Sequence, residues 1–146
     1  ADHVDLEIVA HARLLEIRTE LAVDQPHRRE VLDAVEALRL LCEEVLEPLR
    51  RRFGCIRITS GYRSAELNRA VGGKRTSAHL YGYAADLQPV NGRQDEFERF
   101  FATEFSKMGY PYDQIIIEKS KTARWVHVGY KRADGKQRRQ CFTLKA

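Results

Sequence analysis

Apolar residues recur through the first half of the chain with the period of a helix and then change to the period of a strand. Val31, Val35, Leu38, Cys42, Val45 and Leu49 step by 4, 3, 4, 3 and 4, which winds one stripe down about five turns at 3.6 residues each. Leu32, Leu41 and Leu46 widen that stripe. Asp24 is a candidate cap, with Pro26 at an early position where its missing N–H costs little. Pro48 marks a bend or the approaching end, Arg50, Arg51 and Arg52 complement the negative end of the helix dipole, and Gly54 offers a left-handed cap. Upstream, residues 1–24 are weakly periodic around Ile8, Leu14, Leu15 and Leu21 and predict one or two short helices.

Beyond Gly54 the segment Cys55-Ile-Arg-Ile-Thr59 alternates, predicting a strand that Ser60-Gly61 breaks. Ser64–Val71 reads as a short helix capped by Ser64 and ended by Gly72-Gly73. A polar loop follows, then strands at Tyr83–Leu87, Ile115–Glu118 and Arg124–Tyr130, with an amphipathic helix at Gln94–Met108. Ala133-Asp134-Gly135 is a hairpin signal that would join the last of these strands to Gln140–Leu144. Helices at the front and strands at the back predict an α+β fold with a mainly antiparallel sheet and the N-terminal helices packed on it. No repeat, low-complexity tract or linker interrupts the pattern, so residues 1–146 are expected to form a single domain.

At 146 residues, such a domain buries roughly two thirds of the surface its unfolded chain exposes and does not depend on disulfides or a structural metal. A metal, if held, is then functional. No apolar run approaches a membrane span, and the acidic residues of 1–20 do not suit a signal peptide. The net charge of +4 suits an anionic partner without requiring one. Cys42, Cys55 and Cys141 have no CxxC spacing and apolar neighbours, and are expected to be buried thiols.

His3, His11 and His27 lack partners at ligand spacing and are expected on the surface. His79 and His127 are different. Small residues and a glycine separate His79 from Asp86 at a strand entrance, where Ala84 on the same strand face leaves room for the carboxylate. His127 shares a strand face with Trp125 and Gly129. Two histidines and an aspartate on adjoining strands have the composition of a catalytic zinc site with its fourth position open. Each also has an ordinary alternative: a hydrogen-bonded core histidine, or an aspartate paired with an arginine. No pair has the close spacing of HExxH.

Three segments narrow the choice. Ser60-Gly-Tyr-Arg-Ser-Ala-Glu-Leu-Asn-Arg-Ala-Val-Gly-Gly73, Ser77-Ala-His-Leu-Tyr-Gly-Tyr-Ala-Ala-Asp86 and Trp125-Val-His127 resemble, in this order, the motifs of the zinc D-alanyl-D-alanine carboxypeptidase family. That family includes cell-wall peptidases and vancomycin-resistance dipeptidases and shares its fold with the hedgehog signalling domain. The resemblance spans about residues 30–130, with its core motifs in 55–130. It implies one zinc ion held by His79, Asp86 and His127, and an Arg63 that faces substrate beside the metal. In the vancomycin-resistance branch an acid stands three residues before the last zinc histidine; here that position is Arg124. The hedgehog-like arrangement instead points to Glu118, at the end of Ile115-Ile-Ile-Glu118, as the catalytic base; Asp113 is the reserve candidate, with capping of the turn after Pro111 as its competing role.

Ser77 is a candidate support for the His79 loop, and Tyr62, Tyr81, Tyr83 and Trp125 are candidates to line a cleft, with packing the competing role for Tyr62 and Trp125. The implied activity is metal-assisted hydrolysis of peptidoglycan stem peptides, as a D,D-carboxypeptidase or an endopeptidase, by a monomer acting on the bacterial cell wall. The competing reading is a zinc-containing wall or partner-binding module without turnover. Nucleic acid is not expected as a partner: the basic runs Arg50–Arg52, Lys131, Arg132, Arg138 and Arg139 lack interleaved aromatics.

Overall fold

A computed structural model describes residues 25–145 of the chain, with side chains from residue 29 onward. The helices expected within 1–24, the Asp24 cap and the side chains of His3, His11 and His27 lie outside the described residues.

The long amphipathic pattern forms a helix in three parts: α1 (Gln25–Leu41), a π-helical turn (Cys42–Leu46) and α2 (Glu47–Phe53). In the π-turn the Glu47 N–H bonds to the Cys42 carbonyl, one residue wider than an α-helical bond. Gly54 ends α2 with φ +77°. Leu38, Leu41, Val45, Leu46 and Leu49 are buried as the stripe predicts, but Leu32 is exposed, and Ala34 and Ala37 lie on the buried face beside Leu38 and Leu41. The alanines are buried for a reason a search for large apolar residues misses. The backbone at Gly82 packs so close to α1 that a Cβ there would lie 2.4 Å from the Ala34 carbonyl oxygen, and that approach needs small neighbours.

The sheet contains β1 (Ile56–Ser60), β2 (Ala84–Pro89), β3 (Gln114–Lys119), β4 (Arg124–Gly129) and β5 (Gln140–Lys145), in the order β1-β2-β4-β3-β5. Between β1 and β2 lie α3 (Ala65–Ala70) and a 3-10 turn (Ala78–Tyr81), and between β2 and β3 lie α4 (Gln94–Thr103) and a second 3-10 turn (Phe105–Lys107). The helix expected over 94–108 therefore ends at Thr103 and closes with this turn. The Ser64 hydroxyl accepts the Leu67 N–H at 3.1 Å, the cap that the sequence predicts for α3.

All pairings are antiparallel except β3 with β5, which is parallel. The expected hairpin from β4 into the last strand is thus corrected. Both edges of β4 are occupied, by β2 and β3, so a fifth strand has no ladder to join there. The Ala133-Asp134-Gly135 turn does form, with the Gly135 N–H on the Arg132 carbonyl, but the chain then crosses to the free edge of β3. Asp113, just before β3, fixes that crossing. Its carboxylate accepts the Arg138 backbone N–H at 2.7 Å and the Arg138 guanidinium at 2.9 and 2.6 Å, and its carbonyl accepts the Gln140 N–H.

Strand alternation separates the two faces of the sheet. Ala85, Leu87, Ile115, Ile117, Val126 and Val128 enter one core with α1, α2 and Phe97, Phe100, Phe101 and Phe105. Asp86, Ile116, Glu118, Trp125 and His127 point to the opposite face. The cysteines depart from expectation: Cys42 is half-buried, while Cys55 and Cys141 are exposed, because both lie at margins of the sheet, one just before β1 and the other on edge strand β5. No described helix is long and apolar enough to cross a membrane.

Candidate metal centre

Asp86 and His127 are direct partners in the β2–β4 ladder, and Asp86 Oδ1 lies 3.0 Å from His127 Nδ1. Gly129, two residues along the same face, gives the imidazole its room: a Cβ there would come within 3.4 Å of His127 Nε2. His79 arrives from the 3-10 turn and not from a strand. The Ser77 hydroxyl accepts the His79 backbone N–H at 3.3 Å, and Gly82 closes the turn with φ +73°.

The hydrogen bonds of His79 define its tautomer. Its Nδ1 lies 2.7 Å from the Gly61 carbonyl oxygen, which can only accept, so Nδ1 carries the proton and a neutral ring keeps its lone pair on Nε2. That Nε2 is buried without a hydrogen-bond partner, 3.3 Å from Asp86 Oδ1. Two electron-rich atoms face each other, an arrangement satisfied by a cation between them. One potential ligand atom from each of His79, Asp86 and His127 lies within 4.8 Å of the others. Ligands about 2.1 Å from a tetrahedral zinc sit roughly 3.4 Å apart, so small adjustments of these side chains fit them to such an ion. Burial opposes the charge on Asp86, but the hydrogen bond with His127 leads the interactions that outweigh it and hold the carboxyl well below the usual range.

Arg63 enters from the Ser60–Ser64 corner, its backbone N–H bonded to the His79 carbonyl at 3.0 Å. One guanidinium nitrogen, Nη2, stands 3.8 Å from Asp86 Oδ2, while Nε is buried without a partner. Glu118 faces the same side of the sheet on β3. Burial first, and then the nearby Asp86 carboxylate, push its pKa above the ordinary glutamate value. Only Ile116 of the three preceding isoleucines shares its face; Ile115 and Ile117 belong to the core.

The remaining sequence candidates separate cleanly. Asp113 is buried on the core side, committed to Arg138 and away from the site face. Arg124 likewise points away from His127, toward α4, and pairs with Asp95 at 2.6 Å and with the buried Glu98. Trp125 pairs with Glu118 across β3–β4 and shares the site face. Tyr62 packs against the core margin, and Tyr81, exposed, stacks on Tyr83 with ring centroids 6.3 Å apart. Several basic residues serve the fold: Arg52 lies over Phe100, Arg138 on Asp113 and Arg139 over Tyr112. Sequence reasoning missed Asn68, the buried residue of α3, and Glu98. For Glu98 the available signal was its place among the inward phenylalanines of α4; Asn68 had none, being the one buried residue of a helix whose Leu67 is exposed.

A mixed α/β fold that converges two imidazoles and a carboxylate beside an arginine and a partly desolvated glutamate has the parts of a mononuclear metallohydrolase. The family model of peptidase M15 matches residues 16–129, and the chain belongs to that family. Comparison with curated proteins finds no match.

Proposed function

We propose that this protein is a zinc peptidase that hydrolyses peptidoglycan stem peptides, as a D,D-carboxypeptidase or an endopeptidase, on a hedgehog-like fold. The observation that carries the reading is the orphaned Nε2 of His79 facing Asp86 Oδ1 at 3.3 Å, beside His127. His79, Asp86 and His127 hold the ion. When bound, zinc supplies a water acidified to a pKa of about 7 and a Lewis acid for the peptide carbonyl.

Glu118 is the base. Its raised pKa suits a carboxylate that accepts a proton from the attacking water and returns it to the departing amine nitrogen. Arg63 is a fixed cation with a forked donor set and a free Nε–H. It binds a substrate carboxylate or the oxygen that gains charge during attack. Trp125, beside Glu118, forms part of the substrate wall. This chemistry belongs at the bacterial cell wall.

The deciding experiment incubates zinc-loaded protein with purified peptidoglycan and identifies the released fragments by mass spectrometry. Loss of a terminal D-alanine, or cleavage within the stem, supports the reading and names the bond. An undigested wall, with metal content verified, would defeat it.

A further inference from the structure

Arg63 is held by a residue to which no role has yet been given. Asn68, on the inner side of α3, is 4% exposed. Its Oδ1 accepts from Arg63 Nη1 at 3.1 Å, and its Nδ2 donates to the Lys74 carbonyl at 3.0 Å. The amide is therefore oriented from both ends: flipped, it would set NH2 against a guanidinium and oxygen against a carbonyl oxygen.

The space for this amide comes from Gly73. A Cβ at that position would fall 2.0 Å from Asn68 Oδ1 and 2.9 Å from Arg63 Nη1. Backbone conformation does not explain the glycine, because the left-handed turn belongs to Gly72, with φ +74°, and not to Gly73. Gly73 also donates its N–H to the Asn68 carbonyl at 2.8 Å. Two residues thus cooperate at one guanidinium.

On the other side, Nη2 stands 3.8 Å from Asp86 Oδ2, an ion pair too long for a hydrogen bond. An unrestrained arginine beside a carboxylate closes to a forked, hydrogen-bonded pair. Such closure would occupy the carboxylate that the proposed metal centre needs. We propose that Asn68, seated in the space left by Gly73, is a positioning residue that holds Arg63 turned toward the site yet off the Asp86 carboxylate, leaving that carboxylate free for the metal. This rests on the reading of His79, Asp86 and His127 as metal ligands.

The test combines zinc affinity, measured by chelator competition, with the Arg63 Nε–H resonance in the metal-free protein, assigned from Arg63→Ala. Asn68→Ala should weaken zinc binding about tenfold, as removal of groups that orient metal ligands does, and should shift the Arg63 resonance. In an Arg63→Ala background the same substitution should leave zinc affinity unchanged, because no guanidinium remains to claim Asp86. An unshifted resonance overturns the proposal, as does a zinc loss that persists without Arg63, since general loosening of the fold would explain it. If Asn68→Ala does not fold, Gly73→Ala carries the same tests, its Cβ displacing the amide. A parent protein that takes up no zinc would instead defeat the metal-centre reading, while the resonance still reports whether Asn68 restrains Arg63.

Discussion

Asp86 and His127 sit opposite one another on the adjacent strands β2 and β4, with Oδ1 and Nδ1 3.0 Å apart. A one-residue slip of either strand would send its side chain into the core, so the hydrophobic pattern that builds the sheet also aims two of the three converging groups. Protein purified without chelator is expected to hold about one zinc per chain, and His79→Ala, Asp86→Ala and His127→Ala should each lose it. Elemental analysis decides. Full zinc content in any of these variants would remove that residue from the ligand set.

Glu118→Gln should retain zinc and lower kcat/KM by about a hundredfold or more, the scale of a lost proton-transfer group. In the metal-free protein the raised pKa of Glu118 has a definite sign. Between the ordinary and the raised value the native state binds more protons than the unfolded chain, so this group's contribution to stability falls as pH rises through that window. Metal-free Glu118→Gln is therefore expected to be at least as stable as the parent at neutral pH. A variant that keeps its activity would exclude Glu118 as the base.

Asp113 should behave in the opposite way. Burial opposes its charge, but Arg138 outweighs it and holds the pKa below the ordinary value. The unfolded chain then binds more protons just below that value, and stability is lost as pH falls through the depressed pKa. Asp113→Ala leaves Arg138 without its carboxylate and frees the crossing into β5, at a cost of about 3 kcal/mol in urea unfolding. Zinc content and kcat/KM at a permissive temperature should be unchanged. A selective loss of catalysis would return Asp113 to the list of candidate bases.

Gly82→Ala and Gly72→Ala form a matched pair, since both positions have positive φ, at +73° and +74°. Gly72 has nothing within 4 Å of an added Cβ, whereas at Gly82 that atom would meet the Ala34 carbonyl oxygen. Gly72→Ala should cost about 1 kcal/mol from backbone strain alone. Gly82→Ala should cost more and also weaken zinc binding, because the clash displaces the turn carrying His79. Equal effects in a thermal melt and a zinc titration would contradict this account of the contact.

The features legible in the sequence were those in which local pattern and tertiary need agree. The Ser64 cap, the 3.6-to-2 change in period and the shared face of Trp125, His127 and Gly129 all follow from short-range rules, and family membership was readable from three contiguous motifs. Other features depend on distant partners. The parallel place of β5 follows from β4 having both edges filled and from Asp113 gripping Arg138, neither of which is written near Gln140–Lys145. Ala34 and Ala37 escaped a stripe drawn through large side chains. Asn68 carries no local signal, because its partners, Arg63 and Lys74, meet only when the chain folds around Gly73.

The two strand-borne groups and the turn-borne His79 differ in how they are anchored. Asp86 and His127 are fixed in the interior of a hydrogen-bonded ladder, while His79 rides on a single short turn seated against α1. An ion bound among them would tie that turn directly to the sheet. Chelation would then appear first as faster amide exchange around residues 77–82, with the sheet still protected, so that ion occupancy is recorded locally before global unfolding begins.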